Sequence, residues 1–139
     1  MHLPDLAATQ ALAARLARRL APGDAVLLEG PLGAGKSAFA RALIRAAAAD
    51  PALEVPSPTF TLVQSYGTRR GTIHHFDLWR LAGPGDLAEL GWHQALADIV
   101  VVEWPDRLGA LRPARAITIA LADAGGDARE ATITGWDGS

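Results

Sequence analysis

The residues best suited to chemistry lie in the segment Gly30–Ser37, which reads GPLGAGKS. It fits the pattern of a glycine, any four residues, then Gly-Lys and Ser or Thr, which binds the phosphates of a nucleotide. Glycines reach backbone angles closed to other residues, so the N–H groups of Gly33, Ala34 and Gly35 can point inward at a phosphate chain. The pattern assigns Lys36 to the β- and γ-phosphates and the Ser37 hydroxyl to Mg²⁺.

The segments on either side of this loop decide between phosphate binding and the alternative, a glycine-rich turn with a surface lysine. Residues 25–29, AVLLE, predict a short apolar strand, and residues 38–46, AFARALIRA, are strong helix formers. The motif requires a strand before the loop and a helix after it. The helix would add its positive N-terminal end to the site. The context therefore favours phosphate binding.

Two carboxylates are candidates for the acidic partner that a nucleotide-bound Mg²⁺ requires. Glu103 follows the apolar run 99–102, and Asp77 ends the second strand of a predicted hairpin. Parallel strands deliver their C-terminal ends to one edge of a sheet, so either side chain can reach the loop. The fully apolar strand favours Glu103, because the strand before Asp77 carries two histidines. The alternative for each is an ordinary strand-end or turn carboxylate.

Three other side chains near these carboxylates invite interpretation. His74 and His75 are neighbours on a predicted strand, so they point to opposite faces and cannot form one tight metal site. We expect one of them to be exposed and the other packed. Trp104 adjoins Glu103, and packing and a functional surface are both open for it.

The elements that must position these residues alternate along the chain. Apolar residues at helical spacing predict a helix over residues 5–20, and residues 61–66 and 72–78 predict an antiparallel hairpin with a five-residue connection. Asp86 is placed to cap a short helix, and two more strands are predicted at 116–121 and 130–134. We expect an α/β fold, a single P-loop NTPase domain over residues 1–139, with a mixed central sheet flanked by helices.

Composition narrows the class of protein. Half of the 139 residues are hydrophobic, and the chain has no cysteine, which excludes disulfides, thiolate metal sites and a cysteine nucleophile. No apolar run approaches the roughly 20 residues that span a bilayer, and no secretory signal is visible. The net charge of −2 gives no electrostatic reason for autonomous nucleic-acid binding. We therefore expect a cytoplasmic protein without a membrane partner.

Four blocks of the sequence carry a family likeness: residues 28–37, 57–63, 75–81 and 102–105. Together they resemble the TsaE family, small P-loop ATPases of tRNA threonylcarbamoyladenosine biosynthesis. The first block is common to many nucleotide-binding proteins, whereas its combination with the second and fourth is specific. The family usually has Thr where this chain has Ser37, and often Tyr where it has Trp79. Either hydroxyl can bind Mg²⁺.

The resemblance implies an ATP-binding subunit with weak ATPase activity that acts with a TsaB–TsaD pair and meets tRNA only through that complex. By position, Ser37 and Glu103 would hold Mg²⁺, and Asp77 would be needed for hydrolysis together with Glu103 and Lys36. Trp104 would lie close to the nucleotide. The segment from Ser57 to Thr61 would be a switch-like loop near the γ-phosphate, and Thr9 matches a family position near the nucleotide.

Two other functions use the same loop. A small-molecule kinase would need an acceptor pocket and usually an arginine-rich lid, and only Arg69-Arg70 offers a basic pair on a loop. A GTPase-type switch would need the Asn-Lys-x-Asp signature for guanine, and the sequence contains no asparagine. ATP is therefore the expected nucleotide.

Overall fold

A seven-stranded mixed sheet forms the centre of the molecule. The computed structural model describes residues 1–58 and 61–136; Thr59, Phe60 and residues 137–139 lie outside the described residues. The strands are β1 His2–Leu3, β2 Ala25–Glu29, β3 Val63–Thr68, β4 Gly71–Asp77, β5 Ile99–Glu103, β6 Ile117–Asp123 and β7 Arg129–Thr134. The α-helices are α1 Leu6–Ala17, α2 Lys36–Ala48 and α3 Trp92–Ala95, and two 3₁₀ segments span Pro84–Leu90 and Pro105–Leu111.

The strand order places three strand ends at one edge. The order is β1-β7-β6-β2-β5-β4-β3, in which β2 is parallel to β5 and β6, and β4 is parallel to β5. The outer pairs β3–β4, β6–β7 and β1–β7 are antiparallel. The C-terminal ends of β2, β5 and β4 therefore lie side by side, with Asp77 paired to Glu103 in the register.

Both faces of the sheet are covered, because side chains alternate along each strand. Val26 and Leu28 on β2 pack with α1 and α2, whereas Leu27 belongs to a second cluster. That second cluster includes Trp92 of α3 and Leu87 and Leu108 of the 3₁₀ segments. Burial on both sides explains why the first four residues of β5, Ile99 to Val102, are all apolar.

The structure corrects several boundaries. Pairing of β3 with β4 continues to Thr68 and Gly71, so the hairpin connection is two residues and not five. The Thr68 hydroxyl closes this turn by donating to the Gly71 carbonyl at 2.6 Å. Asp86 lies inside its 3₁₀ segment and does not cap it; the segment begins at Pro84, whose fixed φ suits a first helical position.

The predicted fold class is confirmed, since the described residues form an α/β structure with a mixed sheet flanked by helices. Three elements had no prediction: β1, α3 and the 3₁₀ segment after β5. Among the described helices, none combines the length and apolar character needed to cross a membrane.

Candidate functional site

The glycine loop joins the end of β2 to the first residue of α2. Gly35 stands at the helix start with φ +99°, and no side chain caps the helix there. The first backbone N–H groups of α2 therefore have no acceptor within the helix. A bound anion is well suited to accept hydrogen bonds from them. Gly30 has φ +140°, and a Cβ atom at this position would collide with the Leu121 carbonyl oxygen. Glycine is thus required here both by conformation and by space.

Lys36 lies folded over its own loop. Its Nζ atom donates to the carbonyl oxygens of Gly30 and, at 3.0 Å, Pro31. The same atom lies 3.7 Å from the centroid of the Trp104 ring, a cation–π contact. Burial lowers the pKa of Lys36 below its ordinary value, while the charges of Glu103 and Asp77 act in the opposite direction. The loop thus holds a cation at its mouth.

Glu103 contacts the loop directly. The Ser37 hydroxyl donates to Glu103 Oε1 at 2.8 Å, and the second oxygen, Oε2, lies 2.7 Å from Nε2 of His75. The side chains of Glu103 and His75 are 3% and 2% exposed. Of the two strand-end carboxylates, Glu103 is therefore the one in contact with the serine of the loop.

Asp77 lies beside Glu103 but has different partners. Its Oδ1 accepts from the backbone N–H of Trp79 at 3.2 Å, and its Oδ2 accepts from Ser57 at 3.4 Å. Ser57 and Asp77 line one cleft of about 370 Å³ with Trp79, the loop and Glu103. The Trp79 and Trp104 rings pack at this cleft with centroids 4.5 Å apart. Asp77 therefore lines the same cleft as Ser37 and Glu103.

The oxygens of this cleft suit a magnesium ion that a nucleotide brings with it. Among the described residues, no group of three or more His, Cys, Asp or Glu side chains is placed to hold a metal by itself. Mg²⁺ is usually held by one or two carboxylates together with substrate phosphates. Glu103 and Ser37 match that requirement, since their oxygens are adjacent and hard.

Most of the predicted site residues meet in this cleft. It is lined by Gly33, Gly35, Lys36, Ser37, Asp77, Glu103 and Trp104, and Ala34 is buried within the same loop. Thr9 is buried on α1 and is not among the lining residues, so its role toward the nucleotide stays a prediction. Of the predicted switch-like segment, Ser57 lines the cleft, whereas Thr59 lies outside the described residues.

Two contacts at the site had no prediction from the sequence. His75 is the packed member of the histidine pair, as expected. The expectation that the other histidine is exposed is wrong, because the side chain of His74 is only 19% exposed. The bond of His75 to Glu103 was not foreseen. The available signal was its spacing from Asp77, because residues two apart on a strand share a face. The second contact is that of Arg129, whose Nε donates to the Ala34 carbonyl at 3.0 Å across 95 residues of sequence. No local pattern indicates that contact.

The fold and the site together define the class. A parallel β-strand runs into a glycine loop and then a helix, and two carboxylates from neighbouring strand ends face the loop. This is the arrangement of a P-loop α/β protein.

Comparison with known proteins identifies the family within that class. A profile described as "Threonylcarbamoyl adenosine biosynthesis protein TsaE" matches residues 3–131. The tRNA threonylcarbamoyladenosine biosynthesis protein TsaE of Rickettsia felis is 43% identical over 99 residues, which cover 70% of this chain and 57% of the relative. The protein of the same name from Rickettsia bellii is 37% identical over 127 residues, covering 91% of this chain and 88% of the relative. The chain therefore belongs to the TsaE family.

A solved structure shares the fold of this chain. The crystal structure of Bacillus subtilus YdiB superposes with a TM-score of 0.71 at 27% sequence identity, covering 96% of this chain and 82% of that one.

The chain spans little more than half the length of some relatives, 57% of the Rickettsia felis protein and 56% of that of Rickettsia conorii.

Proposed function

We propose that this protein binds ATP with Mg²⁺ and hydrolyses it slowly, as a subunit required for the threonylcarbamoyl modification of the tRNA adenosine next to the anticodon. The modification comes from the names of its relatives. The observation that carries the nucleotide chemistry is the contact between Ser37 and Glu103, 2.8 Å from hydroxyl to carboxylate at the mouth of the glycine loop. This contact joins the two groups that a P-loop uses for its metal.

Each charged group in the cleft has a part in this chemistry. Lys36 would leave the Pro31 carbonyl and the Trp104 ring for the β- and γ-phosphates, exchanging weak partners for charged ones. When bound, Mg²⁺ would neutralise charge that develops on the phosphates. Ser37 and Glu103 would hold the ion, and Asp77 would orient the attacking water as an acceptor.

The described residues support slow hydrolysis by the isolated chain. Among the described residues that line the cleft, Lys36 is the only cationic side chain. An arginine that reaches the γ-phosphate in the transition state raises the rate of related reactions by roughly 10³–10⁵. Arg129, near the loop, donates instead to the carbonyls of Ala34, Gly126 and Ala128. We propose that a TsaB–TsaD-like pair completes the site, and that tRNA is met only through that complex.

The test is phosphate release by the isolated chain and by its mixture with the TsaB and TsaD homologues of the same organism. We expect low turnover alone, a changed rate in the mixture, and association that depends on ATP. Glu103→Gln in the mixture is the control for contaminating ATPases. Equal rates with and without partners, together with ATP-independent association, would leave a stand-alone ATPase or a small-molecule kinase.

A further inference from the structure

We propose that His75 is a positioning residue for Glu103, holding its carboxylate in the orientation that serves the metal. The inference rests on the proposed Mg²⁺–nucleotide site and assigns a role to a buried side chain that this chemistry does not otherwise use. His75 lies on β4 and Glu103 at the end of β5, the neighbouring parallel strand.

The carboxylate of Glu103 is held at both of its oxygens. Oε1 accepts from the Ser37 hydroxyl at 2.8 Å, and Oε2 lies 2.7 Å from Nε2 of His75. A carboxylate accepts hydrogen bonds, so the imidazole carries its hydrogen on Nε2 and donates. With one oxygen fixed by a ring inside the core, the other is directed at Ser37. Rotation of the carboxylate would break both bonds.

The surroundings of the ring argue that this bond is the reason for a histidine here. His75 is buried, and its other nitrogen, Nδ1, has no hydrogen-bond partner within residues 1–58 and 61–136. A buried polar atom without a partner costs about 1–3 kcal/mol. An apolar side chain of similar size would avoid this cost but could not donate a hydrogen bond to Glu103. The imidazole leaves Nδ1 unpaired but bonds Glu103 through Nε2.

The adjacent histidine shows a different arrangement. His74 bonds through one ring nitrogen to Ser65 at 2.7 Å and through the other to Asp98 at 2.9 Å. Ser65 is exposed, and the three residues lie away from the cleft. His74 therefore serves as a matched control, a histidine on the same strand whose loss leaves Glu103 untouched.

The expected effect is on magnesium and not on the nucleotide itself. Loss of a group that orients a metal ligand typically lowers metal affinity by about 10- to 100-fold. In the wild type Mg²⁺ should tighten ADP binding by some factor. In His75→Leu we therefore expect that factor to be smaller by about tenfold or more. Affinity for ADP in EDTA should be unchanged, because Lys36 and the loop N–H groups keep their places.

The experiment is calorimetric titration of ADP, with Mg²⁺ and with EDTA, into the wild type and the variants His75→Leu, His75→Gln and His74→Leu. Glutamine keeps an N–H donor near the position of Nε2, so His75→Gln should recover most of the Mg²⁺ effect, and His74→Leu should retain it. If circular dichroism shows that His75→Leu does not fold, His75→Asn replaces it, since its amide is too short to reach Glu103.

The outcomes separate this inference from the proposed function. If Mg²⁺ does not change the ADP affinity of the wild type, both the proposed Mg²⁺–nucleotide site and the positioning role of His75 are refuted. A second outcome is that Mg²⁺ tightens ADP binding clearly in the wild type and by the same factor in His75→Leu, or in His75→Asn in its place. That result would refute the positioning role alone. Equal weakening by His75→Leu and His75→Gln in Mg²⁺ and in EDTA would also refute it, because that result describes lost packing.

Discussion

Replacement of Lys36 by methionine tests the binding site most directly, because methionine keeps the length of the side chain and removes the charge. Lys36 is 5% exposed and lies against the Trp104 ring and two loop carbonyls. A unit charge about 4 Å from a phosphate charge contributes roughly 4 kcal/mol at the effective dielectric of a protein surface. Leaving the ring offsets about 1–2 kcal/mol of this.

The net loss of binding free energy is then about 2–3 kcal/mol, which corresponds to a roughly 30- to 160-fold weaker affinity for ATP. The carboxylates of Glu103 and Asp77 act in the same direction, because without the lysine their charge faces the phosphates directly. The fold should survive, since relief from burying a charge compensates for the lost carbonyl bonds. We expect the melting temperature to change by only a few degrees.

The assay is calorimetric titration of ATP at fixed Mg²⁺ and ionic strength. Arg45→Met is the matched control, because it removes one positive charge from the same helix, where the Arg45 Nε atom donates to the Leu53 carbonyl outside the cleft. Its ATP affinity should equal that of the wild type. Unchanged affinity in a folded Lys36→Met variant would refute the assignment of the loop to phosphate binding, and equal losses in both variants would indicate only a net-charge effect.

Three further predictions concern the cleft and its loop. Glu103→Gln keeps the shape of the side chain but removes its charge, so ATP hydrolysis should fall at least about tenfold, or 1.4 kcal/mol of barrier; an unaltered rate at saturating Mg²⁺ would make Asp77 the main acidic group. Adding ADP and Mg²⁺ should change the tryptophan fluorescence, because Lys36 leaves the Trp104 ring; Trp104→Phe should remove most of this change and Trp136→Phe should not. Gly30→Ala should lower the melting temperature, since its Cβ would strike a backbone carbonyl of β6, whereas Gly67→Ala, with open space around it, should have little effect; similar melting temperatures would contradict this reasoning.

Structural features that depend on residues close together in the sequence could be predicted from the sequence. The loop between β2 and α2 is encoded by its glycines, because Gly30 and Gly35 adopt positive φ angles that most residues avoid. The run 99–102 predicted a buried strand, since residues that are apolar on both faces need cover on both. The ranking of Glu103 over Asp77 as the acidic partner of Mg²⁺ followed from that apolar run and stays a prediction, while the structure shows Glu103 in hydrogen-bond contact with Ser37.

Contacts across the sheet were decided by tertiary structure. Ser37 and Glu103 are 66 residues apart, and His75 and Glu103 are 28 apart. Their meeting depends on the pairing of β5 with β2 and β4 in one register, in which Leu28 and Asp77 both pair with Glu103. A slip of one residue would turn the side chain of Glu103 to the other face of the sheet. Local preferences do not set that register.

The sequence alone thus determined the chemistry available, a glycine loop with a lysine, a hydroxyl and acidic strand ends. Only the tertiary structure decided which groups share a bond: Lys36 with the Trp104 ring, and His75 with Glu103. Trp104 makes its contact from a left-handed backbone conformation, φ +59°, that its residue type does not predict. The physical reason is range, because backbone preferences act over a few residues, whereas these contacts exist only once three parallel strands have aligned their ends.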